Sequence, residues 1–171
     1  MPLSKKSPHA STPRNPKLRK SRSRPYRNKK TPPCPVQEMG VRKVELSDIP
    51  TLRKWYSDQE SKHQLYAPPQ SETEFAYYML QPHRFIVLRS GEPVATFRIE
   101  EQGTAAVLGI LVSPDWRGRG VGKIALRFAE NEAKSLGFNV LSVDIYSDNV
   151  AALKAFASAG FREFMWYEKN I

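Results

Sequence analysis

The chain has 171 residues and a formal net charge of +10, enough for one domain of ordinary size with a tail. The charge is uneven: residues 1–37 hold 11 of the 27 Lys and Arg and no acid, so residues 38–171 set 16 bases against 17 acids, a net of −1. One cysteine, Cys34, excludes an intramolecular disulfide, His9, His63 and His83 lack metal-ligand spacing, and the longest apolar run, Ala105 to Val112, is too short for a membrane helix.

Residues 1–39 are expected to be a disordered basic tail, rich in Pro and Ser and poor in large aliphatic side chains. Such a segment buries too little apolar surface to offset the entropy of ordering it. Two readings stay open for it. It is an arm that holds RNA, the ribosome or another anionic surface by salt-sensitive attraction, or it is a solvated extension or targeting leader. Its Arg- and Ser-rich, acid-free composition fits an organellar transit peptide, whereas its prolines oppose the amphipathic helix of a mitochondrial one. No apolar stretch near the start resembles a secretory leader, so a cytoplasmic protein is the default, with organellar targeting open.

The folded domain is expected over 40–171, starting with a strand at Val41–Leu46. Ser47 then caps a helix through Ile49, Leu52, Trp55 and Tyr56, with Pro50 in its first turn. Ala67-Pro68-Pro69 breaks the chain. Ser71-Glu72-Thr73-Glu74 reads as a capping box opening a helix through Phe75, Tyr78 and Met79. Strands follow at Phe85–Leu88, Val94–Glu100 and Ala105–Val112, separated by turns at Ser90-Gly91-Glu92-Pro93 and Gln102-Gly103, which makes an antiparallel meander. The period then changes: Val121, Ile124, Ala125, Phe128, Ala129 and Leu136 fall at helical spacing, and Gly137 stops the helix. A strand at Val140–Tyr146, a helix at Asn149–Ser158 and a last strand at Phe161–Tyr167 complete a β-α-β-α-β run, which implies parallel pairing. The expected fold class is α/β: a mixed sheet of six or seven strands with about four helices.

The most informative stretch runs from Ile110 to Lys123. It passes from a strand, through Ser113-Pro114, into a glycine-rich helix start. Glycines let backbone N–H groups converge on an anion, and a helix N-terminus adds partial positive charge, so a pyrophosphate suits this place. A P-loop fails because Arg117 stands where its first glycine belongs and Ile124 where its hydroxyl belongs. A dinucleotide G-x-G-x-x-G begun at Gly118 fails because Lys123 occupies its last glycine. Arg-x-x-Gly-x-Gly, read as Arg117, Gly120 and Gly122, does fit, and it resembles the acetyl-CoA pyrophosphate loop of GNAT (GCN5-related) N-acetyltransferases. The prefix Leu111-Val112-Ser113-Pro114 matches too. So does a downstream strand–Asn–helix–aromatic–Gly-Phe signature, from Val143 through Asn149 and Phe156 to Gly160-Phe161. The motifs cover about 110–161, and the order of elements suits the family over nearly all of 41–171.

That resemblance implies an enzyme that moves an acetyl group from acetyl-CoA, as co-substrate and without a metal, to a primary amine. The amine is that of a protein N-terminus, a lysine, an amino-sugar or a small molecule. In the family the strand before the loop splays from its parallel neighbour and pairs with the pantetheine arm, which points to the backbone of Ile110, Leu111 and Val112. The Val112 N–H is then an oxyanion donor. Gly118, Arg119, Gly120, Val121, Gly122 and Lys123 are expected at the pyrophosphate with Arg117, and Asn149 at the cofactor's arm, although a plain N-cap role suits Asn149 as well. Val143-Asp144-Ile145-Tyr146-Ser147-Asp148-Asn149 is similar to Leu-Glu-Val-x-x-x-Asn of the ribosomal-protein alanine N-acetyltransferase group. Asp144 stands at the general-base glutamate there, one methylene shorter, so a water would relay the proton. The competing reading of Asp144 is a solvent-facing strand residue. Glu100 and Glu101 are weaker base candidates.

Phe156 departs from the pattern, because many relatives carry a tyrosine general acid there and phenylalanine has no proton to give. Either the thiolate leaves unprotonated, or Tyr146 or a water substitutes, or the domain binds acyl-CoA without efficient catalysis. A non-catalytic acyl-CoA-binding module tethered to RNA or the ribosome by the tail is therefore the alternative function. Trp55, Tyr56, Tyr77 and Tyr78 are pocket or core residues of the first helices, and Asp58, Glu60 and His63 are candidates for contact with a cationic amine or plain loop residues. A monomer and a homodimer are both compatible with the sequence.

Overall fold

The computed structural model describes residues 39–64 and 68–163. The basic segment 1–38 lies outside the described residues, as do the side chain of His63 and most of the strand expected at Phe161–Tyr167. Among the described residues no helix is long and apolar enough to cross a membrane.

Strand β1 (Met39–Lys43) leads into a 3-10 turn at Leu46–Asp48 and helix α1 (Ile49–Ser57). The strand thus starts two residues before Val41 and ends three before Leu46. It stops there because the chain turns around Asp48 rather than Ser47. The Glu45 N–H donates to Asp48 Oδ2 at 2.8 Å, and Arg42 grips both carboxylate oxygens, at 2.6 and 2.9 Å. Burial alone would raise the Asp48 pKa, but the hydrogen bonds from Arg42 and the Glu45 N–H outweigh it and hold the carboxyl below its ordinary value. Asp48→Ala should therefore lower the unfolding free energy by about 2 kcal/mol in urea titrations, since it strips two hydrogen bonds from the Arg42 guanidinium and removes a cap. A depressed carboxylate adds stability above its unfolded pKa and loses it as pH falls through the lower folded value. The mutant's deficit is thus constant from neutral pH down to about 4 and closes only below that.

A short helix α2 (Gln59–Gln64) follows, with no counterpart in the sequence reading, and then α3 (Glu72–Met79). The expected cap of α3 is present: Ser71 Oγ accepts from the Glu74 N–H at 3.2 Å. The meander is β2 (Arg84–Arg89), β3 (Glu92–Gln102) and β4 (Ala105–Val112). Its first turn is tighter than expected, with Ser90 and Gly91 both at positive φ (47° and 86°), so Glu92 and Pro93 already belong to β3. Helix α4 (Val121–Ser135) crosses to β5 (Leu141–Ser142), and α5 (Val150–Ser158) ends the described elements.

The described residues form five strands in the order β1-β2-β3-β4-β5, antiparallel except for the parallel pair β4–β5. This is the mixed α/β sheet expected, with one strand fewer than the lower count. One face packs Phe97, Ile99, Ala106 and Leu108 against Val121, Ala125, Leu126 and Ala129 of α4. The other packs Ile86 and Leu111 against Leu52, Trp55 and Tyr56 of α1 and Phe75 and Met79 of α3. The two faces keep helix α4 and the α1/α3 pair on opposite sides of the sheet.

Candidate active site

The expected strand Val140–Tyr146 is the main correction. Burial alternates along it, with Leu141, Val143 and Ile145 packed against the α4-side core and Ser142, Asp144 and Tyr146 exposed. Ladder pairing nevertheless stops after two residues: Ala106↔Leu141 and Val107↔Ser142 are the register pairs, and only Leu141–Ser142 is strand. Beyond them β4 continues for five residues without its parallel neighbour. Alternation says which side chains face the core, whereas a ladder also needs a second backbone alongside, and here the two chains part.

The register shows which β4 groups face the opening. Gln102 and Ala105 close a two-residue hairpin, and Ser113 N–H donates to the Val94 carbonyl at 3.0 Å, so the odd-numbered backbone groups from 105 to 113 serve β3. The even-numbered groups turn the other way, as the Ala106 N–H confirms by donating to the Val140 carbonyl at 3.0 Å. Ile110 and Val112 therefore present their N–H and C=O groups to the split, while those of Leu111 are turned to β3.

The loop after β4 wraps the end of that opening. Gly118 and Gly120 both take left-handed backbone (φ 72° and 82°), and Gly120 caps α4 with no side chain to offer. The first-turn N–H groups of Val121 and Gly122 have no acceptor within the helix, so they point at whatever lies beyond its end. A Cβ added to Gly122 would stand 3.6 Å from Val112 Cγ2, which places the helix start against the end of β4. Further along, Lys123 and Arg127, one turn apart, line a groove of about 300 Å³ between α4 and α5 with Leu126, Glu130, Ser158 and Ala159. The sequence reading missed Arg127, although its i+4 spacing from Lys123 was there to find.

The other arginines of the loop are engaged by protein. Arg119 lies over the Trp116 ring at 4.9 Å and Arg89 at 4.8 Å. Arg117, expected at a phosphate, turns to the α1–α2 corner, where it meets Asp58 Oδ2 at 2.9 Å, Glu60 Oε2 at 2.8 Å and Ser61 Oγ at 2.7 Å. Burial would raise the Asp58 pKa, and the bonds from Arg117 and the Ser61 N–H lower it on balance. Asp58 and Glu60, candidates for an amine, thus clamp the loop instead. Arg117→Ala should free the loop, and Asp58→Asn should do so in the same direction, raising amide exchange at Gly118 and Gly120 by about tenfold. Hydrogen exchange of the two variants checks this.

Asp144 lies on the face of the sheet turned away from α4. Val107 and Ser142 share that face through the ladder, and Asp144, two residues on, follows them along one lip of the split. Glu100 is near in register but its Oε1 already holds Arg84 at 2.7 Å and Arg98 at 3.1 Å. Glu101 is exposed and belongs to the α4 face. Asn149 caps α5, its Oδ1 accepting from the Ala152 N–H at 3.0 Å, which leaves its amide NH2 free of that role. Phe156 is buried edge-on to Phe161, with ring centroids 5.0 Å apart. Tyr56 is buried core, Tyr78 packs beside it, and Tyr77 is exposed.

With this geometry in view, the family model described as Acetyltransferase (GNAT) family matches residues 49–161. The [ribosomal protein bS18]-alanine N-acetyltransferase of Salmonella typhimurium is 27% identical over 122 residues, covering 70% of this chain and 78% of that protein. The crystal structure of a ribosomal-protein-alanine N-acetyltransferase from Brucella melitensis superposes with a TM-score of 0.66 at 22% identity, over 74% of this chain and 86% of that one. AAC(6')-Iy, solved with a bisubstrate analogue of CoA, superposes with a TM-score of 0.57 at 18% identity, over 78% and 99%.

Proposed function

The chain belongs to the GNAT acetyltransferase family, and we propose that it moves the acetyl group of acetyl-CoA to a primary amine by direct attack in a ternary complex. The observation that carries this reading is the split: β4 and β5 pair only at Ala106–Leu141 and Val107–Ser142, with a left-handed glycine loop at its end. The backbone of Ile110 and Val112 is then free to pair with an extended pantetheine arm, as one strand pairs with another. Gly118 to Gly122 receive the pyrophosphate at the α4 N-terminus, and Lys123 with Arg127 flanks the nucleotide end. The amide of Asn149 lies downstream of β5 for the arm.

The thioester carbonyl sits where charge develops on oxygen, and the Val112 N–H is the donor that receives it. The amine approaches from the face that carries Asp144, which takes its proton through a water. Phe156 cannot protonate the departing sulfur, and a thiolate is a tolerable leaving group without that help. The catalytic unit is residues 40–171, extended by Met39. The relatives named for alanine of ribosomal protein bS18 make an α-amine the first acceptor to try.

The test is free-thiol release from acetyl-CoA with a panel of amines that includes N-terminal peptides. Amine-dependent release supports the reading. Acetyl-CoA binding with no release for any amine, or no binding at all, rejects it.

A further inference from the structure

The α1/α3 face of the sheet carries more positive charge than its burial allows without a partner. Arg84 and Arg98 are register neighbours on β2 and β3, and Arg98 is in turn opposite Gly109 on β4. Both guanidiniums meet the same oxygen of Glu100, whose side chain is 40% exposed, while those of Arg84 and Arg98 are 7% and 19% exposed. Two cations thus share one anion. Arg84 also lies over the Tyr78 ring at 5.0 Å, and Tyr56 and Tyr78 both act electrostatically on Arg98, so α1 and α3 cover the pair. Burial would lower the Arg98 pKa, but Tyr78, Tyr56 and Glu100 raise it on balance, so the charge persists. The Nε atoms of both arginines are buried without a hydrogen-bond acceptor, the 3.1 Å approach of Arg98 to Glu100 being ionic and out of line.

Arg98 is not placed at random relative to the split. Its Nη1 and Cζ lie 2.8 and 2.9 Å from where a Gly109 Cβ would be, so the guanidinium lies flat on β4 one residue before Ile110, where the strand has lost its neighbour. Asp144 follows along the other lip of the same face. A buried excess cation is costly unless an anion meets it, and guanidinium favours a carboxylate.

We propose that Arg98, steadied by Glu100 and backed by Arg84, binds a carboxylate carried by the amine acceptor. The acceptor is then amino-acid-like, with its amine towards Asp144 and its acid towards Arg98. This rests on the acetyl-transfer reading for the direction of approach, but its test does not need turnover. Arg98 is a specificity-determining residue, and the room it occupies exists because residue 109 is glycine.

The test is calorimetric binding of glycine, β-alanine and 4-aminobutyrate, each against its carboxamide, to the full chain with and without coenzyme A. A second arm compares Ala-Glu-amide with Ala-Gln-amide and separates a free amino acid from an acidic peptide. At least one acid should bind tenfold or more tightly than its neutral partner. Arg98→Gln should erase the difference, and Arg98→Lys should keep part of it. The inference is overturned if no pair differs tenfold, if nothing binds up to about 10 mM, or if the preference survives Arg98→Gln. The wild-type comparison decides even where a variant folds poorly. Thiol release with the same amines separates the two ideas: equal turnover of acid and carboxamide sinks the carboxylate site alone. Carboxylate preference without any acetyl-CoA binding sinks acetyl transfer alone.

Discussion

Gly120→Asp should lose about 100-fold in acetyl-CoA affinity, while Gly120→Asn loses less than about tenfold. The pair separates backbone from charge. Gly120 caps α4 at φ 82°, a conformation that costs most residues dearly and Asn and Asp least. No atom lies within 4 Å of an added Cβ, so both side chains fit. Both variants should therefore melt within a few degrees of each other. The two differ only in a negative charge placed among N–H groups that the proposed function assigns to a pyrophosphate. Like charges a few ångströms apart at a protein surface repel by several kcal/mol before screening, and salt reduces this. The deficit of the Asp variant should accordingly shrink as ionic strength rises, and that of the Asn variant should not. Calorimetry at two salt concentrations reads both. Equal losses for Asp and Asn would mean that the loop's shape matters and that no phosphate lies at this helix end.

Much of this was legible in the sequence, for local reasons. Helical spacing from Val121 reported burial directly, and alternation in Val94–Glu100 reported a strand even though Val94 to Phe97 are buried on both faces, because each side chain is placed by its own backbone. The loop could be read because left-handed backbone at Gly118 and Gly120 demands glycine, and glycine is visible as a letter. What stayed hidden depends on distant residues. Helix α2, Gln-Glu-Ser-Lys-His-Gln, has no apolar stripe. It starts where Asp58 Oδ2 accepts the Ser61 N–H at 3.2 Å, and Arg117 anchors it through Glu60, 57 residues earlier. Nothing local encodes that contact, so Arg117 read as a phosphate ligand. Arg98 likewise read as one polar step in an alternating strand. Its meaning appears only when register sets it between Arg84 and Gly109. The end of β5 is the same case: the sequence carries the alternation of 140–146 but not the departure of the neighbouring chain.

Asp144→Asn should lower kcat/KM by about 100-fold near pH 7 with little change in acetyl-CoA affinity, and the deficit should shrink with rising pH. An acceptor amine must be neutral to attack, and an α-amine with an ordinary pKa near 8 is mostly protonated at pH 7. A carboxylate that receives this proton is needed most where the ammonium form dominates. Above about pH 9 the free amine is abundant, and the mutant should recover to within about tenfold of the wild type. A residue that merely oriented the acceptor through a hydrogen bond would give the same deficit at every pH, since asparagine keeps the shape and loses the charge. The profile therefore tells a base from a positioning residue, which a single-pH activity cannot. The geometry gives a further discriminator. Glu100 has its carboxylate committed to Arg84 and Arg98, so Glu100→Gln should act through acceptor KM rather than through the pH profile. If Asp144→Asn were silent while Glu100→Gln flattened the profile, the proton would leave by the arginine side of the split, and the assignment of the two lips would have to be exchanged.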